Sequence, residues 1–465
     1  MLAKLSFNKF IDIYWHFSSY NIFMTIYALS SGPGVSGVAV IRISGKKTKD
    51  VIKQITGRKL PKPRMASLNK IIEIKTKELI DEGIVIWFPG PNSYTGEDMA
   101  EIHVHGSRAV IKSILDNISK ISSCRLAEPG EFTKIAFQNE KINLLKAESI
   151  GDLIAAETDI QRRQALKIIS GKSSNKFNSW RNTLLKILSN LEAKIDFPDE
   201  DLPDDILNNI KNASQKVKEE IKKILNDSKV GERIREGFKI AILGPTNAGK
   251  SSLLNYFSKR EVAIVSETAG TTRDIIEVHL NIDGFPVIMS DTAGIRNSKN
   301  EIEKKGIKLA LKRAEDADLN ILVFEPKSVD FTSFLSDLNV EKSIFVINKS
   351  DLGKNKGNNL DKYKPILISI KDETNIEKLI DKIKKNLTNK FVSVEDTLIT
   401  RERHRQHLEQ CIFHLDEFSK KEKDSDFDKA AEDIRLATRH LGMLVGKVDV
   451  EEILGSIFND FCIGK

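Results

Sequence analysis

Hydrophobic positions along this chain change rhythm three times, and each change predicts a different kind of structure. From Met24 to about Asn139, short apolar runs are broken by turns: GVAVIRISG over 37–45, EGIVIWFPGPNSYTGED over 82–98 and MAEIHVHGS over 99–107. This pattern predicts strands, with a helix near 108–120, and so an α+β domain. From about Lys141 to Ile195, turn residues thin out and Leu, Ala, Ile, Lys and Glu take over, which is helical-bundle composition. The acidic break PDEDLPDD at 198–205 precedes a further helical stretch, NIKNASQKVKEEIKKILNDSKV. Strands and helices then alternate from FKIAIL to about residue 388, the pattern of βαβ units around a mostly parallel sheet. From about Asp396 the chain is helical again. Residues 396–465 are short for an independent bundle, so they are expected to pack with 141–235, leaving the α/β domain as an insertion in a helical one.

The α/β segment carries the most specific chemistry. Gly244-Pro-Thr-Asn247-Ala248-Gly249-Lys250-Ser251-Ser252 fits G-x-x-x-x-G-K-S between an apolar strand and a helix, the context a phosphate-binding loop requires. Its backbone N–H groups cradle phosphates, Lys250 reaches the β/γ-phosphates and the Ser251 hydroxyl holds Mg²⁺. Val287-Ile288-Met289 leads into Asp291-Thr292-Ala293-Gly294, where a carboxylate at a strand end can hold the metal's water shell and the Gly294 N–H can face a γ-phosphate. Ser343–Ile347 leads into Asn348-Lys349-Ser-Asp351, and a carboxylate there accepts from the N1–H and exocyclic amine of guanine, which adenine does not present. Ser369-Ile370-Lys371 occupies the position of a base-supporting turn, and Gly270-Thr271-Thr272-Arg273-Asp274 offers Thr272 as a second Mg²⁺ ligand. The order of these pieces predicts a Ras-like P-loop GTPase domain. One position departs from that type: Ile295 stands where a glutamine would orient the attacking water. Arg273, a carboxylate at Glu301 or Glu303, or a monovalent cation are the candidates to replace it, and the Asn247 carbonyl could either hold such a cation or simply scaffold the loop.

Composition narrows the class without naming it. At 465 residues the chain exceeds one core, and roughly three domains are expected. A net charge of +7 permits a polyanionic partner, and three cysteines without a C-x-x-C pair exclude a disulfide framework. Residues 1–23 are apolar but interrupted by Asp12 and His16 and hold no Arg, so a leader or an upstream start is expected there rather than a targeting segment, with Met24 a candidate first residue. Arg42, inside an alternating apolar strand, must be paired, either with a structural carboxylate such as Glu97 or with an anionic ligand. His103 and His105 share a strand face but lack a third ligand for a metal, and Cys124 and Cys411 read as packing thiols. Val450, Ile453, Leu454, Ile457, Phe458 and Phe461 form one helical stripe leading into the terminal Phe461-Cys462-Ile-Gly-Lys465. The stripe alone predicts a buried Cys462, and Ile463, Gly464 and Lys465 make a poor prenylation signal.

The motifs GPTNAGKSSLLN, AGTTRD and DTAGIR, with FPGPNSYTGED and GEFTKIAFQNEKINLLKAESIGDLI upstream and FCIGK at the end, closely resemble the tRNA-modification GTPase family MnmE (TrmE). The resemblance runs from about Met24 to Lys465. It implies an N-terminal folate-binding and dimerisation domain (24–140), a helical domain in two parts (141–236 and 389–465) and an inserted G domain (237–388), behind a leader or mis-assigned start (1–23). It further implies a cytoplasmic homodimer working with the flavoprotein MnmG (GidA) on tRNA. The reaction implied is a potassium-dependent GTP hydrolysis coupled to aminomethylation or carboxymethylaminomethylation of wobble-uridine C5, using a 5-formyl- or 5,10-methylene-tetrahydrofolate. By motif position, Asn247, Ser266, Thr268 and Thr271 match a potassium site, Ser251 and Thr272 a Mg²⁺ site, and Glu303 the support of the attacking water. Glu267, Ala269 and Gly270 fall in the same GTP-binding loop, Arg42, Glu97, Lys141 and Lys465 match folate contacts, and Cys462 lies at the uridine site. Thr246 and Ser266 are mild departures from the family pattern. A reading of another class, an RNA-binding switch like Era or Der, would require a KH module or tandem G domains.

Overall fold

A computed structural model describes residues 24–196, 205–226, 229–245, 247–259, 277–291, 311–326, 340–353, 361–390, 397–421, 427–448, 454, 457–458 and 461–464. The chain divides into two compact units, one running through Gly151 and resuming at Gly442, the other Asp152–Leu441. No helix among the described residues is long and apolar enough to cross a membrane.

The first unit is built on a six-stranded sheet. Its strands are β1 (Thr25–Leu29), β2 (Ser36–Ser44), β3 (Ser67–Ile72), β4 (Leu79–Phe88), β5 (Met99–Gly106) and β6 (Cys124–Leu126), ordered β3-β4-β5-β2-β1-β6. Pairing is antiparallel except between β1 and β6. The period of two along β2 decides what goes where. Ala39, Ile41 and Ile43 face one side, where they share a core with Val51, Ile52 and Ile55 of α1 (Thr48–Thr56) and Ile114 and Ile118 of α2 (Arg108–Ser119). The same alternation turns Arg42 and Ser44 to the opposite side, so one strand supplies both a core and a polar site. α2 begins where Ser107 accepts from the Val110 N–H at 3.1 Å, a side-chain N-cap. The expected strand over 82–98 is shorter than its apolar pattern, ending at Phe88 before the irregular PGPNSYTGED segment.

Beyond this sheet come α3 (Glu131–Gln138) and α4 (Leu144–Ile154). Leu454, Phe458 and Phe461, from the sequence-predicted stripe, pack with Leu144 and Ala147 of α4. Val450 and Ile453 lie outside the described residues. Residues from Gly442 onward therefore group with the first unit, whereas the helical stretch before them belongs to the second.

In the second unit, α5 (Asp159–Ile169) opens with a capping box between Thr158 and Gln161. α6 (Lys172–Asp196), α7 (Asp205–Leu225) and α8 (Val230–Glu236) follow, and α7 packs against both α6 and the later α11 (Glu402–Ser419). A second sheet comprises β7 (Phe238–Leu243), β8 (Glu277–Ile282), β9 (Phe285–Asp291), β10 (Leu319–Phe324), β11 (Ser343–Ile347) and β12 (Ile366–Leu367). Their order is β12-β11-β10-β7-β9-β8, parallel throughout except for the β8–β9 hairpin. β7 and β10, central in the sheet, are buried except at Lys239 and read as mostly apolar runs interrupted only by Lys239 and Asn320, as central parallel strands do. α9 (Lys250–Lys259) and α10 (Ile376–Lys390) contribute to the core of this sheet, and α12 (Phe427–Val445) follows α11. The edge strand β12 is only two residues long, because Ser369 already pairs with Thr374 across a tight turn.

α8 precedes the sheet in sequence and α11 follows it. They are joined by Arg405, whose Nε donates to Glu232 Oε1 at 2.8 Å with both side chains almost fully buried. Removing one member of such a pair strands the other charge. Arg405→Leu is expected to destabilise the second unit by about 3–5 kcal/mol, while Arg162→Leu, which breaks the exposed pair with Asp159, costs under about 1 kcal/mol. Urea unfolding of the two variants measures the difference, and equal costs would contradict the assignment.

Candidate functional site

Close backbone approach forms the phosphate loop at the end of β7. A Cβ on Gly244 would lie 2.0 Å from the Val323 carbonyl oxygen, and one on Gly249 would lie 2.1 Å from Asn348 Nδ2. Asn247 sits between them in the left-handed region at φ 66, a conformation asparagine tolerates better than most residues. Ala248 is fully buried, and Lys250 opens α9 with its own side chain buried. Its Nζ donates to the Pro245 carbonyl at 2.8 Å, across the loop. Burial pulls the lysine pKa below its ordinary value, and the nearby Asp291 carboxylate opposes that. The next residue, Ser251, donates its hydroxyl to Asp291 Oδ2 at 2.6 Å. A hydroxyl and a carboxylate touching beside a phosphate loop are hard oxygen donors that fit Mg²⁺.

Base-side residues come from the ends of β11 and β12. Asn348 is buried and spends its amide internally, Nδ2 donating to the Ala248 carbonyl at 2.9 Å and Oδ1 accepting from Ile370 N at 3.3 Å. It ties the phosphate loop to the base loop. Ser369, also buried, donates its hydroxyl to Asp351 Oδ1 at 2.9 Å, which fixes the carboxylate that the motif offers to a guanine edge. Lys349, at φ 60, pairs with Glu325 at 2.9 Å. The structure thus brings together Asn247, Ala248, Gly249, Lys250, Ser251, Ser252, Asp291, Asn348, Lys349, Asp351 and Ser369. Ser266, Glu267, Thr268, Ala269, Gly270, Thr271, Thr272, Arg273, Thr292, Ala293, Gly294 and Glu303 lie outside the described residues.

A second polar cluster occupies the side of the first sheet that α1 and α2 leave open. Arg42 donates from Nε and Nη2 to Glu101 Oε1 at 3.1 and 2.9 Å, and from Nη1 to the Gly464 carbonyl at 3.3 Å. Its carboxylate partner is therefore Glu101 rather than Glu97, because β2 and β5 pair Arg42 directly opposite Glu101. The guanidinium lies 5.7 Å from the Tyr94 ring centroid and 5.8 Å from that of Phe132. Ser44, two residues on, contacts Thr95 Oγ1 at 2.7 Å and donates to Glu97 Oε2 at 2.8 Å. Burial raises the Glu97 pKa above the ordinary glutamate value, opposed by the Ser44 hydrogen bond and by Lys46. Lys141 runs across Gly96, where an added Cβ would meet its Cε at 2.9 Å, and Asn139 Nδ2 anchors the same turn through the Thr95 carbonyl at 2.7 Å. A basic, an acidic and an aromatic group so arranged can hold a ligand that presents both donor and acceptor edges.

The end of the chain closes this cluster. Gly130 N donates to the Cys462 carbonyl at 3.4 Å, Ile463 bridges to Pro129, and Ser30 Oγ donates to the Gly464 carbonyl at 2.8 Å. Cys462 is exposed, contrary to the burial its helical stripe predicts: Phe461 lies in a bend, Ile463 makes an isolated bridge to Pro129 and Gly464 turns at φ 95, so the terminal residues leave the helical face. Lys465 lies outside the described residues. His105 Nδ1 pairs with Asp81 at 2.9 Å, whereas His103 Nε2 lies 3.5 Å from Glu101 without a hydrogen bond to it. Sequence reasoning missed Glu101, Ser44 and Ser30; alternation in MAEIHVHGS places Glu101 on one face, but the pairing with Arg42 depends on a register that no single strand encodes.

These features define a guanine-nucleotide-binding P-loop protein with a second polar cluster on a separate α+β unit. Residues 25–141 match the family model for the GTP-binding protein TrmE N-terminus, and residues 144–462 match that for the MnmE helical domain. The chain is 68% identical over 443 residues to the tRNA modification GTPase MnmE of Pelagibacter ubique (strain HTCC1062), spanning 95% of this chain and 100% of that one. Identity to the protein of the same description from Rickettsia akari (strain Hartford) is 48% over 446 residues, again 95% and 100% of the two chains. Among solved structures, that of Aquifex aeolicus Era bound to GDP and aluminium fluoride overlies 32% of this chain and 56% of its own, at 27% identity and a TM-score of 0.26. The chain belongs to the MnmE family of tRNA modification GTPases.

Two outcomes follow from the side-chain geometry. Asp351→Asn replaces one acceptor of the base-reading pair with a donor, so GTP affinity is expected to fall at least about a hundredfold while xanthosine triphosphate, which offers a carbonyl there, gains. Competition binding measures both. Glu97 has a raised folded pKa, so its contribution to stability is complete below the unfolded glutamate value and is lost as pH rises through the folded value. Glu97→Gln is accordingly expected to be neutral or stabilising near neutral pH and to flatten the pH dependence above the ordinary carboxylate range, read by melts followed at Trp87.

Proposed function

We propose that this chain is a potassium-dependent GTPase that acts as a homodimer with a flavoprotein partner, MnmG (GidA), in the cytoplasm. Together they install an aminomethyl or carboxymethylaminomethyl group at C5 of the wobble uridine of certain tRNAs, drawing the carbon from a tetrahydrofolate. The observation that carries this reading is the coexistence, in one chain of this family, of the Lys250–Ser251–Asp291–Asp351 site and the Arg42–Glu97–Lys141 cluster closed by the segment that bears Cys462.

At the G site, Lys250 and the loop N–H groups bind the phosphates, and Asp351, held by Ser369, selects guanine. Ser251, with Asp291 beside it and Thr272 as the second protein ligand, would hold Mg²⁺, which neutralises phosphate charge when bound. Ile295 cannot orient water, so Glu303 supports the attacking water in this reading, with Arg273 as a cationic helper. Asn247, Ser266, Thr268 and Thr271 supply oxygens suited to a monovalent cation. The left-handed backbone of Asn247 supports that role by reversing the loop at this point. At the other site, Arg42 and Lys465 receive the anionic end of the folate, Glu97 and Lys141 its polar ring edge, and Cys462 lies beside the uridine. Exposed Leu68 and Ile84, directly paired across β3 and β4, supply an apolar patch that supports self-association.

Deleting the gene is expected to remove C5-modified wobble-uridine nucleosides from tRNA digests read by mass spectrometry, and the intact gene to restore them. Unchanged nucleosides would sink this function. GTP turnover should run several-fold faster in potassium than in sodium, and equal rates would remove the cation assignment alone.

A further inference from the structure

Arg42 serves two partners in a way that its strand position does not announce. A guanidinium has five N–H groups. Nε, one N–H of Nη2 and one of Nη1 are committed, the first two to Glu101 and the third to the Gly464 carbonyl. One N–H on each terminal nitrogen remains for a ligand. The Gly464 carbonyl accepts from both Arg42 and Ser30, and it does so from a residue at φ 95 whose added Cβ would lie 2.3 Å from the Leu29 carbonyl oxygen. Only glycine brings the chain end this close to β1. The neighbouring attachments are weaker: Gly130 N reaches the Cys462 carbonyl at 3.4 Å, and Ile463 is exposed.

We propose that Glu101 is a positioning residue whose grip on Arg42 latches the Cys462-bearing terminal segment onto the sheet of the first unit, and that anionic-ligand binding at the same guanidinium tightens the latch. Glu101 fixes the guanidinium in plane through its Nε edge, as a carboxylate held against this fork does. That leaves Nη1 aimed at Gly464 and the remaining N–H groups at the ligand. One planar cation thus orders both the terminal segment and the anion, so each favours the other by reciprocal linkage. Loss of the Glu101 charge frees Arg42 to rotate, and the Gly464 carbonyl loses its charged donor and keeps Ser30, beside the longer Gly130–Cys462 bond and the Pro129–Ile463 bridge. Glu101 touches neither nucleotide nor reacting carbon in this arrangement. Ligand coupling presupposes the tetrahydrofolate reading above, whereas docking of the terminal segment does not.

Hydrogen exchange of the full-length protein, followed in the peptide covering 459–465, separates these two. Without ligand, Glu101→Gln should raise exchange there roughly ten- to a hundredfold, Ser30→Ala should raise it less, and Glu101→Asp should recover part of the protection. GTP turnover should remain at the wild-type rate in all three, with unchanged melting of the second unit. Addition of 5-formyltetrahydrofolate should slow exchange in the wild type and much less in Glu101→Gln. Wild-type exchange in Glu101→Gln overturns the latch. A loosened peptide that the folate fails to protect even in the wild type keeps the latch but overturns the ligand coupling and the folate reading with it. Should Glu101→Gln fail to fold, Ser30→Ala decides: unchanged exchange there rejects Gly464 as the anchor.

Discussion

A single buried amide organises the nucleotide site. Asn348 occupies the position that separates the phosphate loop from the base loop, and its two ends are hydrogen-bonded to the backbone of each, at Ala248 and at Ile370. An amide so placed cannot be replaced by an apolar group without leaving a carbonyl and an N–H unpaired in the interior, each costing about 1–3 kcal/mol. Gly249 makes the approach possible, since any side chain there would displace the amide. The spacing between Lys250 at the phosphate loop and Asp351 at the base loop is thereby set by rigid parts on strand ends. This is what a site that must read both ends of one ligand requires.

The first unit solves a different problem with similar economy. A strand that buries Ile41 and Ile43 on one face must present the residues between them on the other, and Arg42 and Ser44 occupy those places. Rather than leaving a cation on an apolar sheet, the fold gives it a carboxylate on the neighbouring strand, two aromatic rings and the end of the chain. Glu97, held by Ser44 in a drier setting, is pushed the opposite way electrostatically. A paired cation and a carboxylate disposed toward its neutral form lie on one polar surface, so the cluster can accept from and donate to one ligand.

Motifs whose parts are adjacent in the chain were legible in the sequence. Lys250, Ser251, Asp291, Asn348 and Asp351 each follow an apolar strand, and the parallel sheet brings those strand ends to one edge. What depends on register or on distant chain segments was not. Arg42 and Glu101 are 59 residues apart and meet only because β2 and β5 pair in one of the available registers. Gly464 and Ser30, 434 residues apart, meet through a carbonyl that carries no side-chain signal at all. The helical stripe before Cys462 correctly marked residues that pack, Leu454, Phe458 and Phe461, yet periodicity does not say where a helix stops.

The Arg405–Glu232 pair has a meaning in chain statistics as well as in electrostatics. It joins residues 173 positions apart, from the helix before the parallel sheet to the helix after it. For a flexible loop of that length, closure alone is worth about 4–5 kcal/mol by the (3/2)RT ln n relation. The clasp supplies that closure where it forms, and Val230 and Ile234 of α8 share the core of the sheet, so the helix before the sheet and the sheet itself order together. The two ends of a long excursion are in this sense held by the same packing that the excursion completes.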